Sequence, residues 1–227
     1  MATTLAQMRD CEMARPLRKD AERNRQRVIE AARELFASRG LEATLNDVAH
    51  HAGLGVGTVY RRFPTKEELF EAIFEDALNK LIDMAESALR EANSWDGFER
   101  FVTQMCEMTA SDRGMREVAF CKTCGGNRVD AARNRLVPAL SKLVERAQKD
   151  GYLRPEISST DMPILALLSG TVSEYAGHVD AELWRRYVAL LLEGMRCRDD
   201  RRPVETKALD DEQLETAMRT WEPAGPN

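Results

Sequence analysis

The chain has 227 residues, 43% of them apolar and 31% charged, which gives it material for one or two packed domains and argues against a disordered polymer. Its longest apolar runs, 164–168 and 188–192, fall far short of the roughly 20 residues a membrane-spanning helix needs. Five cysteines, an odd number with no secretory leader ahead of them, do not describe a disulfide scaffold, so a soluble, reduced, cytoplasmic protein is expected.

Residues 1–19 are polar and without pattern up to Pro16, and a flexible arm is expected there. A first helix is predicted over 20–38, with Val28, Ala32, Leu35 and Phe36 on one face and Gly40 to end it. Thr44 opens a short helix: Asp47, three residues on, completes a capping-box pattern, and Val48 and Ala49 face inward. Gly53 stands where a tight turn between crossing helices requires positive φ. The next helix, over 56–63, buries Val59 and Phe63 at i and i+4. That leaves Thr58, Arg61 and Arg62 outward and Tyr60 on a flank. Thr65 and Glu68 form a second capping box ahead of Leu69, Phe70, Ile73 and Phe74. The succession is a helix-turn-helix, which sets a helix into the major groove of DNA.

A long helix is predicted over 66–93, and others over 95–109, 127–149 with Gly151 as the stop, 159–178 and 181–195. Gly114 and Gly125-Gly126 punctuate the interval before 127. Pro163 fits only in the first turn of its helix. The tail after Arg198 is charged and proline-punctuated, with at most a weak helix over 209–221. The expected fold class is all-α, with a three-helix helix-turn-helix head (20–66), a larger helical body (67–197) and a weakly structured tail (198–227). The last two body helices are apolar on more than one side. Either they are central core helices, or Leu165, Leu168, Val172, Trp184, Tyr187, Leu191 and Met195 form a dimer face and four helices bundle across a twofold axis.

Charge is unevenly divided. Residues 1–66 carry 12 Lys and Arg against 8 Asp and Glu, a balance of +4, while the remainder carries 21 against 30, a balance of −9. A basic head suits phosphates and an acidic body stays clear of them.

Residues 44–66 also resemble the signature of the TetR (tetracycline-repressor) family of bacterial regulators. The matching elements are Thr44, the Ala52-Gly53 turn, Gly57-Thr58-Val59-Tyr60, the polar pair Arg61-Arg62, Phe63, the linker Pro64-Thr65, and Lys66. Many members have Ser-Lys where this chain has Gly55-Val56, so a common cap and phosphate contact are missing. The resemblance implies a transcriptional regulator, not an enzyme, and most simply a repressor. As a homodimer it would bind a pseudo-palindromic double-stranded operator. Pairing would run through the last two long helices, and a small-molecule effector among the body helices would release the DNA. No cofactor or metal is implied.

Residue roles follow. Thr44 and Lys66 sit at helix N-termini, where free N–H groups and the positive dipole end favour an anion. With Tyr60, whose family counterpart reaches a phosphate through its hydroxyl, they are the phosphate candidates; Tyr60 otherwise reads as a packed aromatic. Arg61 and Arg62 suit guanine edges or phosphates, or form a solvated face. Gly55 and Gly57 allow close approach of the backbone, and Val56 and Thr58 suit a thymine methyl. Arg15, Arg18 and Lys19 read either as a minor-groove arm or as plain disorder. One of His50 and His51 is expected to touch a phosphate. Effector-lining candidates are Phe101, Met105, Met108, Phe120, Leu136, Leu140 and Tyr175, with Gln104, Arg116 and Glu174 as polar contacts; Met and Phe at this spacing also suit an ordinary core. Cys121 and Cys124 make a C-x-x-C with no second ligand pair at metal spacing. With Lys122 between them they suggest the alternative of a redox-responsive regulator.

Overall fold

A computed structural model describes residues 2–39, 42–111, 127–200 and 202–220, with side chains of the first helix described at Asp20 and from Glu22 onward. Among the described residues the secondary structure is helical, apart from an isolated bridge between Leu153 and Arg196. The chain forms two compact units, residues 1–69 and 70–227.

The first unit holds α1 (Ala2–Arg39), α2 (Leu45–His51), α3 (Val56–Arg62) and the start of α4 (Lys66–Leu89). Helix α1 runs without interruption from Ala2, where the sequence reading expects a flexible arm through residue 19. Residues 2–19 hold three Ala, three Arg, two Leu and two Met, good helix formers, on both sides of Pro16. Helix α1 packs on α2, and α2 on α3. The core is small and aliphatic-aromatic: Val28, Ile29, Ala32, Leu35 and Phe36 from α1, Leu45, Val48 and Ala49 from α2, and Val59 and Phe63 at α3 are all buried.

The second unit continues α4 and adds α5 (Ser94–Ser111), α6 (Asn127–Lys149), α7 (Asp161–Ala176), α8 (Leu183–Met195) and α9 (Asp211–Thr220). Helix α5 is central, packing on α6, α7 and α8. Its Phe98, Phe101, Val102, Met105 and Cys106 are buried, and so are Leu136, Leu140, Leu143 and Val144 of α6. The α4–α5 corner is tight, because a Cβ on Gly97 would lie 2.4 Å from the Ala88 carbonyl oxygen. Arg146 of α6 closes the same corner, donating to the carbonyls of Leu89 at 2.8 Å and Glu91 at 2.6 Å. Leu89 ends α4 and Glu91 lies just past it, so these carbonyls lack helical partners of their own. At the far end of α6, Gly151 takes φ +77° and Tyr152 N donates back to Ala147 O at 3.0 Å, the helix stop expected there.

One buried and one half-buried hydroxyl tie α7 to α5. Ser169 Oγ donates to Cys106 O at 3.2 Å and Ser173 Oγ to Ala110 O at 2.7 Å. Pro163 is the third residue of α7, where its missing N–H breaks no helical bond. The expected weak tail helix is present as α9.

Candidate nucleic-acid interface

Three local devices shape the head. The first is the capping box at α2: Thr44 Oγ1 accepts from Asp47 N at 3.2 Å, and Thr44 N donates to Asp47 Oδ2 at 2.8 Å. The Thr44 hydroxyl also donates to Asp47 Oδ2 at 2.6 Å. Both donors of Thr44 are therefore engaged by a carboxylate. Thr44 itself is exposed. These hydrogen bonds, the side-chain one foremost, hold the Asp47 carboxyl below its ordinary range.

The second device is the turn. Gly53 has φ +62°, Gly53 N donates to His50 O at 3.1 Å and Leu54 N to Ala49 O at 3.0 Å, a paired-bond helix stop. Arg27 of α1 reaches across and donates from Nη2 to Ala52 O at 2.8 Å. A second tie runs from His51 Nε2 to Glu34 Oε2 at 2.7 Å. His51 is thus engaged by α1, and His50, the other of the pair from which one phosphate contact is expected, is exposed. The sequence reading missed Arg27 and Glu34, because their partners lie 25 and 17 residues away and no local pattern marks them.

The third device is α3. Val59 and Phe63 are buried, so the helix is anchored through one side. Gly55, Val56, Gly57, Tyr60, Arg61 and Arg62 are exposed and Thr58 is half-buried. Val56 and Tyr60 keep 47% and 42% of their surface, too much for packed core residues. Gly55 caps α3 with no side-chain hydrogen bond. A Cβ on Gly57 would meet nothing within 4 Å, so this part of α3 is bare backbone facing outward. Arg62 lies 3.9 Å from Glu22 of α1, a solvent-exposed pair of small energetic worth. Lys66 opens α4, half-buried, with its ammonium 5.7 Å from the centre of the Phe36 ring. Thr65 Oγ1 accepts from Glu68 N at 3.2 Å, fixing the start of α4.

Residues 28–73, which span this head, match the model for bacterial regulatory proteins of the tetR family, and residues 95–197 match the SbtR-like transcriptional regulator C-terminal domain. The chain belongs to the TetR family. It is 27% identical over 198 residues to the HTH-type transcriptional regulator SrpR of Pseudomonas putida, covering 87% of each chain. Among solved structures it resembles a TetR regulatory protein from Mycobacterium vanbaalenii at 29% identity and a TM-score of 0.59, over 80% of this chain and 99% of that one. It also resembles TetR regulator SCO0520 from Streptomyces coelicolor at 28% identity and a TM-score of 0.57, over 76% and 98% of the two chains. The protein is a DNA-binding transcriptional regulator of this family and not an enzyme. Among the described residues no group of three or more His, Cys, Asp or Glu is placed to hold a metal, and no helix is long and apolar enough to cross a membrane.

In this TetR protein the residues expected around an effector do not all converge. Phe101 and Met105 of α5 and Leu136 and Leu140 of α6 are buried, and Met108 is half-buried. Gln104 and Glu174 are exposed and Tyr175 keeps 82% of its surface, so these three do not line an enclosed site. The reason is helical register: they occupy the sides of α5 and α7 turned away from the packed faces. Arg116 and Phe120 lie outside the described residues, as do Cys121 and Cys124. The redox alternative gains no support from the relatives.

The expected dimer residues divide in two. Leu165, Trp184 and Met195 are buried within the chain and belong to its core. Leu168, Tyr187 and Leu191 are exposed, and Val172 is half-buried beside them. Ile164 and Leu190 join this outer face. An apolar groove of about 260 Å³ runs between α7 and α8, lined by Leu168, Val172, Tyr187, Val188 and Leu191 with Ser169 and Leu190.

Proposed function

We propose that this regulator binds a pseudo-palindromic operator as a homodimer, acts as a repressor, and is released by a small molecule bound within residues 67–197. One observation carries the DNA-reading part. Helix α3 is anchored by Val59 and Phe63 and turns an uncovered face outward, made of Gly57, Tyr60 and Arg61 with Thr58 and Val56 at its edges. Arg61, directly opposite the anchored side, reads a guanine edge. Thr58 and Val56 meet thymine methyl groups, and the bare backbone at Gly55 and Gly57 permits close approach. Tyr60 and Lys66 bind phosphate, and Arg62 does so after leaving Glu22. Thr44 and Asp47 set the pose of α2 instead of touching DNA.

The outer face of α7 and α8 supports pairing. Ile164, Leu168 and Tyr175 recur at helical spacing on α7, and Tyr187, Leu190 and Leu191 do so on α8. An apolar stripe of this extent on two adjacent helices suits a symmetric partner, each copy offering the same patch. Effector control requires only that the ligand prefer the state that does not fit the operator. The buried residues Phe101 and Met105 of α5 and Leu136 and Leu140 of α6, two helices that pack together, mark the region to search for that ligand.

Selection of random duplex DNA by the full-length protein at about 150 mM salt tests the reading. A pseudo-palindromic motif with half-sites about one helical turn apart or somewhat more is expected. Recovery of a single asymmetric half-site, or of no motif from folded dimer, would overturn the operator model.

A further inference from the structure

Glu22 of α1 stands between two arginines. Its Oε1 lies 3.7 Å from Arg25 Nη1 on the same helix, and its Oε2 lies 3.9 Å from Arg62 Nη2 in the last turn of α3. All three residues belong to the head unit. At these separations the contacts are ion pairs and not hydrogen bonds, so the attraction is Coulombic and loosely directed. The two cations are not equivalent. The Arg25 side chain keeps 14% of its surface, whereas Arg62 keeps 49% and Glu22 is exposed. Arg25 sits three residues from Glu22 on one helix, a spacing that sets the two side chains beside each other. Arg62 comes from a different helix and is the partner that can leave.

The place of Arg62 gives the pair its meaning. Helix α3 is anchored by Val59 and Phe63, and its last turn carries Arg61 and Arg62 together. A guanidinium that meets a phosphate from this position must first give up Glu22. That exchange is a matter of charge and is indifferent to base identity. Once it has occurred, Arg25 remains beside the other carboxylate oxygen. Glu22 therefore keeps a cation of its own and acts on DNA through Arg62.

We propose that Glu22 is a positioning residue for DNA binding. It serves as the internal counterion of Arg62, holds that guanidinium toward α1 in the free protein, and weakens phosphate engagement on every sequence alike. The proposal rests on the reading above in which α3 meets DNA and Arg62 takes a phosphate.

The test compares full-length Glu22→Gln, Arg62→Ala and the double variant on a labelled random-sequence duplex at about 100 mM salt. Glu22→Gln is expected to bind about two- to fivefold more tightly than wild type, the range of an exposed ion pair. The gain should shrink as salt rises. Glu22→Ala is expected to match it, which checks that the new amide is not responsible. Arg62→Ala is expected to bind more weakly, and adding Glu22→Gln to it should change affinity by less than about 1.5-fold. On an operator recovered by selection the same gain should appear with base preference unchanged. An equal gain from Glu22→Gln in the absence of Arg62 would make Glu22 a direct repulsive charge and overturn its action through Arg62. If Glu22→Gln binds no more tightly than wild type while Arg62→Ala shows a clear loss, the counterion is overturned and Arg62 remains a phosphate contact. No loss in Arg62→Ala would remove Arg62 from the interface, and overturn the phosphate reading together with the counterion.

Discussion

Arg27 Nη2 donates to the Ala52 carbonyl at 2.8 Å, so the helix that braces the head also holds the turn that aims α3. The carbonyl sits at the end of α2, where helical partners run out, and the guanidinium supplies both a donor and a positive charge there. Removing it with Arg27→Ala should lower the stability of the head by about 1 kcal/mol. Operator affinity should fall with little change in which sequence is preferred. Chemical denaturation and a competition binding assay read the two effects, and a change of sequence preference would mean that Arg27 itself meets DNA.

Gly53→Ala tests the same turn from the backbone side. The new Cβ would sit 3.6 Å from Arg27 Nη2, an ordinary contact, so space is not the obstacle. The cost lies in φ +62°, which an alanine adopts at about 1–2 kcal/mol. A denaturation midpoint unchanged from wild type would show that the turn relaxes to another conformation.

Arg61 and Lys66 should separate by salt dependence. Arg61→Ala is expected to weaken specific binding by about 1–3 kcal/mol and relax one base position per half-site. Lys66→Ala should weaken all DNA alike and reduce the logarithmic salt slope by about one. An equal loss on every sequence for Arg61→Ala would reassign it to phosphate.

Burial pushes the Cys106 thiol up from its ordinary 9.0 to about 11, although Ser169 beside it acts in the opposite sense. A raised folded value means that the native state holds the proton more tightly. Below pH 9 this group adds no pH dependence; between 9 and about 11 stability should fall as pH rises. The fall should be smaller in Cys106→Ala. At neutral pH a maleimide should label the exposed Cys197 quickly and leave the buried Cys106 unmodified until unfolding.

Asp47 has the opposite sign. The Thr44 side chain first, then its backbone N–H, depress the carboxyl below its ordinary 3.8. The stabilisation it gives is therefore complete above that value and lost as pH falls through the lower folded one. Denaturation curves of Asp47→Asn against wild type should converge at acid pH and differ at neutral pH. A constant difference across the range would mean that the carboxylate charge plays no part in the cap.

The sequence by itself determined several features of this protein that depend on short spacing. Thr44 with Asp47, the positive φ at Gly53, the inward pair Val59 and Phe63, the stop at Gly151 and the bounds of α6 are all set within a turn or two of chain, where periodicity and capping chemistry act. Tertiary structure alone decided which apolar residues became core. Leu165 and Leu168 are three positions apart on one helix and equally apolar, yet Leu165 is buried and Leu168 keeps 45% of its surface, because α5 covers one side of α7 and not the other. The same holds for Arg27, His51 and Thr160, whose partners Ala52, Glu34 and Leu209 lie 25, 17 and 49 residues away. A side chain's periodicity says which way it points relative to its own helix, and only the packing of other helices says what it meets there.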